Sequence, residues 1–492
     1  MDNETLKKWS VNNNILPLKY DREKIKPGIL HIGLGNFHRA HQEYYINTLL
    51  EDPNQKNWGV CGVSLLPGDE NLYKALKSQD NLYSLTIFGR DGIDKTCMIG
   101  SIVESLWAME DSEKIIQKIA DPNIKIITLT ITEGGYNINK SSGDFMLNTP
   151  SIQSDLNTNN KPTTVFGYIA AGLRKRKNTI NKPITILSCD NLQHNGNTAK
   201  KAFLSFIKAQ DEELSTWVEI NVTFPNAMVD RITPAVSEED KERLNKKNNI
   251  NDLAPVYCED FIQWVVEDNF IAGRPDWGKV GVQMTENVSV FENMKLSLLN
   301  ASHTLLSYPS FLMGYRKVDE AMKNNLIIQY VKDFMNLDIT PYVKEPEGIN
   351  LTEYKQVLIE RFANSSVSDQ ISRLCADGVS KIPVYIMPNL NKMLNENKDM
   401  TRLAFFVASY RHYLKYKKDD TGHSFPINEP WLDDEDEKNI NSNNSLDFLL
   451  LSPFSSNKLL ENNKFCNEYT KMNDLVYEKG IKEVLKFIIT SK

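Results

Sequence analysis

Gly28-Ile29-Leu30-His31-Ile32-Gly33-Leu34-Gly35-Asn36-Phe37-His38-Arg39-Ala40-His41 is the stretch whose reading decides the fold. Its apolar run reads as a short strand, its two glycines as a tight turn, and the spacing of Tyr45, Ile46 and Leu49 beyond it as a helix. Strand, turn and helix in that order is the context in which a G-x-G motif carries meaning. Gly33 permits the turn and Gly35 lets the backbone approach a pyrophosphate. The helix N-terminus, from Asn36 and Phe37 onward, offers free N–H groups to phosphate oxygens. The third glycine of the usual fingerprint is absent. His38 stands in its place, putting a side chain where helix and strand normally pack closest.

Moving outward, Trp58 to Leu65 reads as a second strand, ending in Pro67-Gly68-Asp69-Glu70. An acid there would hold the ribose hydroxyls of a dinucleotide and repel a 2′-phosphate, and Asp69 is the better candidate. A solvated turn acid is the alternative. Asp69 lies farther from Gly33 than the usual ~20 residues, so the intervening helix is long or carries an insertion. Ile124 to Ile131 is almost continuously β-branched, as in a strand buried on both faces. It ends in Thr132-Glu133-Gly134-Gly135-Tyr136, placing Glu133 at the rim where ligands sit in such sheets. A helix over 165–176 and a strand over 183–187 bring Asn191 to the same rim. Alternating strands and helices over 28–190 predict a mostly parallel, Rossmann-like doubly wound sheet. Residues 222–234 are rich in turn formers and hold Asp230 beside Arg231, with a structural salt bridge the bland reading of Arg231. Residues 259–276 read as an amphipathic segment ended by Gly273 and Pro275.

Strand-like runs stop near residue 285, which divides the chain into a dinucleotide-binding domain, 1–285, and a mostly α-helical domain, 286–492. The second opens with Met294-Lys295-Leu296-Ser297-Leu298-Leu299-Asn300-Ala301-Ser302-His303. At about 100° per residue, His303 lies roughly 80° and Asn300 roughly 140° around the helix from Lys295. Met294, Leu298 and Leu305 form the apolar back. Pro309 is expected to end this helix. Further helices are expected near 316–335, 352–363, 367–376, 398–417 and 473–489. Arg373, Asp377 and Lys381 cluster at a helix end. The acidic, Asn-rich run 432–444 reads as a solvated loop.

The totals exclude some partners. A net charge of −7 argues against a nucleic-acid surface and a basic membrane patch. No uninterrupted apolar run reaches ~18 residues, so no membrane span is expected. The six cysteines form no CxxC pair. With an N-terminus unlike a signal peptide, they suggest reduced thiols in a cytoplasmic protein.

A dinucleotide domain followed by a helical one implies hydride transfer in the cleft between them. Alcohol oxidation needs a base for the hydroxyl proton and donors for the developing oxyanion. Lys295 serves as the base if burial beside a positive nicotinamide ring brings its pKa from ~10.4 toward 7–8. Asn191 and Asn300 offer uncharged N–H donors for an oxyanion hole, and His303 orients the substrate oxygen. Glu292 shares the lysine's helix face; it either relays the proton to solvent or turns outward as a helix N-terminal acid. Zinc chemistry needs clustered Cys and His ligands, and His38 and His41 have no thiolate near them in sequence. Tyr-x-x-x-Lys pairs occur at Tyr73/Lys77 and Tyr413/Lys417, neither placed for catalysis. A non-catalytic NAD-binding sensor is the alternative of another class, and it would have no use for Lys295, two asparagines and His303.

These residues resemble the polyol-specific long-chain dehydrogenase (mannitol dehydrogenase) family. The resemblance rests on GLGNFHRAH at 33–41, TEGGY at 132–136, SCDN at 188–191, FPNAMVDRITP at 224–234 and the Lys295…Asn300…His303 spacing. ADGVSK at 376–381 matches less tightly, with Val379 in place of a small polar residue. The similarity spans roughly residues 28–420. It implies metal-independent, NAD-dependent oxidation of D-mannitol to D-fructose, and the reverse reduction, by a monomer. It also implies Lys295 as general base, Asn191 and Asn300 as oxyanion hole, His303 as substrate-orienting group and Glu292 on a proton exit path. Asp230, Arg373 and Lys381 would contact the polyol, and Asp69 would favour NAD. Arg373 and Lys381 equally suit a carboxylate, so fructuronate or tagaturonate reduction is the alternative, with arabinitol or sorbitol oxidation beside it.

Overall fold

In the computed structural model, which describes every residue except 1–7, 10, 11, 13, 140, 141, 368, 456–458, 491 and 492, the opening run becomes strand β1 (Pro27–Ile32). It is followed by α1 (Asn36–Ala40) and α2 (Gln42–Leu49). Five more strands complete the sheet: β2 (Gly59–Ser64), β3 (Ile102–Trp107), β4 (Ile126–Leu129), β5 (Ile184–Ser188) and β6 (Val222–Thr223). Their spatial order is β3-β2-β1-β4-β5-β6, and every pairing is parallel. That is the doubly wound order, in which the chain reverses direction across the sheet between β1 and β4 and leaves a crevice at their carboxyl ends.

Both faces of the sheet are covered, which is why its strands are apolar without alternation. On one face Leu30, Ile127 and Ile186 pack among residues of α4 (Ser112–Ile119), α5 (Val165–Thr179) and α6 (Asn195–Gln210). On the other, Ile29, Ile126 and Leu187 pack with Tyr45, Ile46 and Leu49 of α2. Each such side chain taken fully from water stabilises the fold by about 1.5–3 kcal/mol.

Two three-stranded sheets flank this core. The segment read as amphipathic, 259–276, contains the central strand of one of them, Gln263–Glu267. The long gap between Gly33 and Asp69 is filled by α1, α2 and a 3-10 turn at Pro53–Gln55.

Residues group into two compact units, Met1–Ser289 and Val290–Lys492. The second is helical. It starts within α7 (Val288–Lys295) and continues through α8 (Ala301–Leu312), α9 (Leu351–Phe362), α10 (Ile371–Cys375), α11 (Gly378–Tyr385), α12 (Thr401–Tyr416) and α13 (Asn463–Thr490). α12 packs on α8 and α13. Arg402 and Asp338, both buried, form a bidentate pair at 2.6 and 2.5 Å.

Two expectations are corrected here. Pro309 does not end its helix, which runs on to Leu312. Proline forfeits its own N–H bond and crowds the carbonyl four residues back, but its carbonyl still accepts from Met313 at 3.0 Å, and every residue of α8 is buried. The acidic run 432–444 is not all loop, because Asp434–Asn441 is helical. Asp433 caps it by accepting from Asp436 N at 2.8 Å, and the carboxylates of the first turn suit the positive end of the helix dipole. No helix among the described residues is long and apolar enough to cross a membrane.

Candidate active site

The glycine turn is held from three sides. Gly33 has φ +104°, and a Cβ there would sit 2.1 Å from the Thr130 carbonyl oxygen. Its N–H donates to Val63 O, and its own carbonyl accepts from Thr130 Oγ1 at 2.7 Å. Gly35 differs: its φ of −109° is ordinary, and a Cβ would meet nothing nearer than 3.9 Å. The space it leaves lies at the start of α1, whose N-terminal amides receive no side-chain cap. Uncapped amides beside open space suit an anionic group such as a pyrophosphate.

His38 fits without a third glycine because its ring stacks flat on His31 of β1, centroids 3.2 Å apart and 4° from parallel. Leu34 of the turn packs closely on β2, where a Cβ on Gly62 would meet it at 2.6 Å. Burial holds both imidazoles well below their ordinary pKa. His38 Nε2 lies 3.1 Å from Oε1 of Glu43, whose carboxyl is pushed up to about 8 by burial. His41 Nε2 bonds the Gln263 carbonyl at 2.8 Å. Both histidines of HRAH thus have packing partners. Phe37 stacks on His41, and Asn36 donates to Pro234 O at 3.3 Å.

Beyond β4, Thr132 has φ 65° and ψ 166°, a region glycine alone occupies comfortably. Glu133 follows it, exposed, in a 3-10 turn. The backbone amides of Ile131 and Thr132 donate to the Asp190 carboxylate at 3.1 and 2.8 Å, and Tyr136 Oη donates at 2.7 Å. Burial raises the Asp190 carboxyl to about 6 against these hydrogen bonds. Asn191, the next residue, is exposed at the rim. Asn195 joins this loop to the strand Ala227–Asp230: its Nδ2 donates to Asp190 O at 3.1 Å and Ala227 O at 2.7 Å. Glu133 and Asn191, on two loops, and Asp230, at the end of a strand, are therefore tied together. Arg231 is structural, as read from sequence, but through carbonyls: it donates to Ala40 O and Glu259 O. Thr132, Asp190 and Asn195 went unnoticed in the sequence, where Asp190 is only the neighbour of Asn191.

Asp69 lies five residues past the end of β2 in a 3-10 turn, its carboxylate accepting from Leu66 N at 3.0 Å. It leads into α3 (Glu70–Ser78). A cavity of about 640 Å³ runs along that helix, lined by Asn36, Arg39, Leu72 and Ala75 among others. It shares Asn36 with the glycine turn but not the two glycines.

In the second unit, Leu296–Asn300 is a π-helical turn between α7 and α8, with Ala301 N donating to Leu296 O five residues back. The 100° arithmetic fails across it. A π turn places residues five apart nearly in line, so Lys295 and Asn300 share one face rather than standing ~140° apart. Lys295, Glu292 and His303 are buried. Glu292 is 4 % exposed, which removes the outward-turned reading. Asn300 Oδ1 is enclosed and has no hydrogen-bond partner among the described residues.

The His303 ring lies against that of Phe362, centroids 4.1 Å apart and planes tilted by 31°. Burial disfavours the charged form of Asp369, yet Arg373, then His303, hold its carboxyl below the usual range. Arg373 grips Asp369 through two nitrogens, one at 2.9 Å. Lys381 donates to three carbonyls closing α10: Arg373, Leu374 and Ala376, at 3.0, 3.3 and 2.6 Å. Both cations are thereby engaged within their own unit.

Tyr73 and Lys77 do meet at 2.7 Å, but together with Glu110. Burial and then Glu110 push the tyrosine hydroxyl up, away from what a catalytic tyrosinate needs.

Known proteins resemble this chain over nearly its whole length. Residues 27–279 match the mannitol dehydrogenase Rossmann domain and residues 287–476 the mannitol dehydrogenase C-terminal domain. A polyol:NADP oxidoreductase of Gluconobacter oxydans (strain 621H) is 39% identical over 484 residues, covering 98% of this chain and 99% of its own. A mannitol 2-dehydrogenase of Aspergillus fumigatus is 39% identical over 471 residues, 94% of this chain and 93% of its own. Among solved structures, a substrate-free D-sorbitol dehydrogenase superposes with TM-score 0.92 at 39% identity, covering 97% of this chain and 99% of its own. The Pseudomonas fluorescens mannitol 2-dehydrogenase, in ternary complex with NAD and D-mannitol, gives 0.87 at 38% identity and 99% of each chain. The chain belongs to the mannitol dehydrogenase family, the polyol-specific long-chain dehydrogenases, oxidoreductases that act on CH–OH groups.

Proposed function

We propose that this protein is a metal-independent mannitol 2-dehydrogenase that oxidises D-mannitol to D-fructose with NAD and runs the reverse reduction, as a cytoplasmic monomer. The observation that carries the reading is the π turn, which aligns Lys295 with an Asn300 amide whose enclosed oxygen has no partner among the described residues. An enclosed amide oxygen left without a donor is costly, and a hydroxyl of a bound polyol would supply that donor while the amide N–H faces the reacting oxygen. In this reading Lys295 takes the proton of the reacting hydroxyl and Glu292, three residues before it, passes that proton on. Asn300 and Asn191 hold the oxygen as its charge grows, and His303 orients it. Asp230 and Arg373 bind the remaining hydroxyls, with Lys381 holding the Arg373 loop. NAD, when bound, supplies the nicotinamide ring that accepts the hydride. Gly33, Gly35, Asn36, Phe37 and Glu133 fit its pyrophosphate and nicotinamide end, His38 through its backbone alone because its ring is buried against His31, and Asp69 its adenosine ribose. Residues 1–285 form the cofactor domain and 286–492 the substrate domain.

A polyol is favoured over a uronate because Arg373 and Lys381 already have internal partners. A panel of D-mannitol, sorbitol, arabinitol and mannonate with NAD, followed by NADH absorbance, tests this. Mannitol should give the highest kcat/KM and a strong chelator should leave the rate unchanged. Turnover of mannonate alone would replace the polyol reading with uronate reduction.

The cofactor assignment has its own prediction. Asp69→Ala is expected to shift the NADP-to-NAD ratio of kcat/KM by about tenfold toward NADP, because a carboxylate within a few ångströms repels a 2′-phosphate. An unchanged ratio removes Asp69 from cofactor choice.

A further inference from the structure

We propose that Asp190 is a positioning residue that holds the active-site rim in its reactive form, by fixing a backbone conformation the chain would otherwise leave. This rests on the proposed roles of Glu133 and Asn191, and it adds a residue that touches neither substrate nor cofactor.

Thr132 is β-branched and lies at φ 65°, ψ 166°, where an L side chain is strained. Such a conformation persists only when its surroundings over-determine it. Here the holder is visible: Asp190 Oδ1 accepts from Thr132 N, and Oδ2 accepts from Ile131 N and Tyr136 Oη. The carboxylate is 7 % exposed and accepts from both sides of the strained residue. Glu133 follows the strained residue directly, and Asn191 follows the holder, so the pair sets the spacing of both. Asn195 carries the tie onward to Ala227, three residues before Asp230. A purely structural carboxylate would have no need of a strained partner, since a glycine at 132 would take the same turn unaided.

That contrast supplies the test. Asp190→Asn keeps the shape but turns a donor toward at least one of three donors. It is expected to lower kcat roughly 10- to 100-fold, with KM for the polyol within about threefold, since displacements near 1 Å cost rates of that order. NADH affinity, read by fluorescence, should weaken about fivefold, the size expected of a displaced contact. In a Thr132→Gly background, which adopts the turn without help, the loss on adding Asp190→Asn should shrink below about threefold. Tyr136→Phe removes one of the three hydrogen bonds and should give a smaller loss in a folded protein. Undiminished losses in the glycine background, or native rates and NADH affinity in Asp190→Asn, overturn the proposal. If the wild type turns over no polyol, the functional reading fails, and the NADH titrations still decide the role of Asp190.

Discussion

Lys295→Ala is expected to reduce kcat for polyol oxidation by ~10²–10⁴-fold while NADH affinity stays near that of the wild type. The reasoning starts from the reaction, since an alcohol cannot release hydride from carbon unless its hydroxyl proton has a place to go. Among the residues of the Met294–His303 run, Lys295 alone carries an amine, and it lies buried on the face it shares with Asn300. A loss confined to kcat would mark an interaction made in the transition state and not in the ground state. Small primary amines added to the alanine variant should restore part of the rate, because they return the missing base to the space it left. Wild-type rates in Lys295→Ala would remove the lysine from the mechanism.

Gly33→Ala is expected to be the most damaging change in the first unit. Its methyl group would sit 2.1 Å from the Thr130 carbonyl oxygen, on a backbone at φ +104°. Neither the main chain of β1 nor that of the loop after β4 can yield without breaking the sheet pairing beside it. A destabilisation of about 2–4 kcal/mol follows, with loss of NADH binding. Gly35→Ala makes the useful contrast, because its φ is ordinary and its Cβ would meet nothing closer than 3.9 Å. That variant should unfold within about 1 kcal/mol of the wild type and still bind NADH more weakly, since the open space is needed by the ligand and not by the fold. Denaturant unfolding and NADH titration of the two variants separate these roles; equal stability losses would contradict them.

The strand–turn–helix of β1 and α1 was legible because its determinants are local: glycines, an apolar run and helical spacing within a few residues. β3 was not. Ile102–Trp107 mixes Glu104 and Ser105 with apolar residues, half-buried at the sheet edge, and takes its place by pairing with β2, far away in sequence. The helix Asp434–Asn441 was hidden by its charge, since acids that suit a helix start also suit a solvated loop. The motifs pointed to Lys295, Asn300 and His303 by spacing, but the π turn that sets their angular relation leaves no periodic signature. Asp190 escaped for another reason. Its significance lies in a strained dihedral at Thr132, which no side-chain pattern announces.

The π turn at Leu296–Asn300 also says something about how this helix can change. Were the segment to relax to an ordinary α-helix of the same length, it would gain better hydrogen-bond geometry and lose the bulge. Every group from Asn300 onward would then be turned by about 100° relative to the lysine. The relaxed helix would be firmer and present the wrong face, so selection for a firmer helix and selection for turnover pull on this one turn in opposite directions.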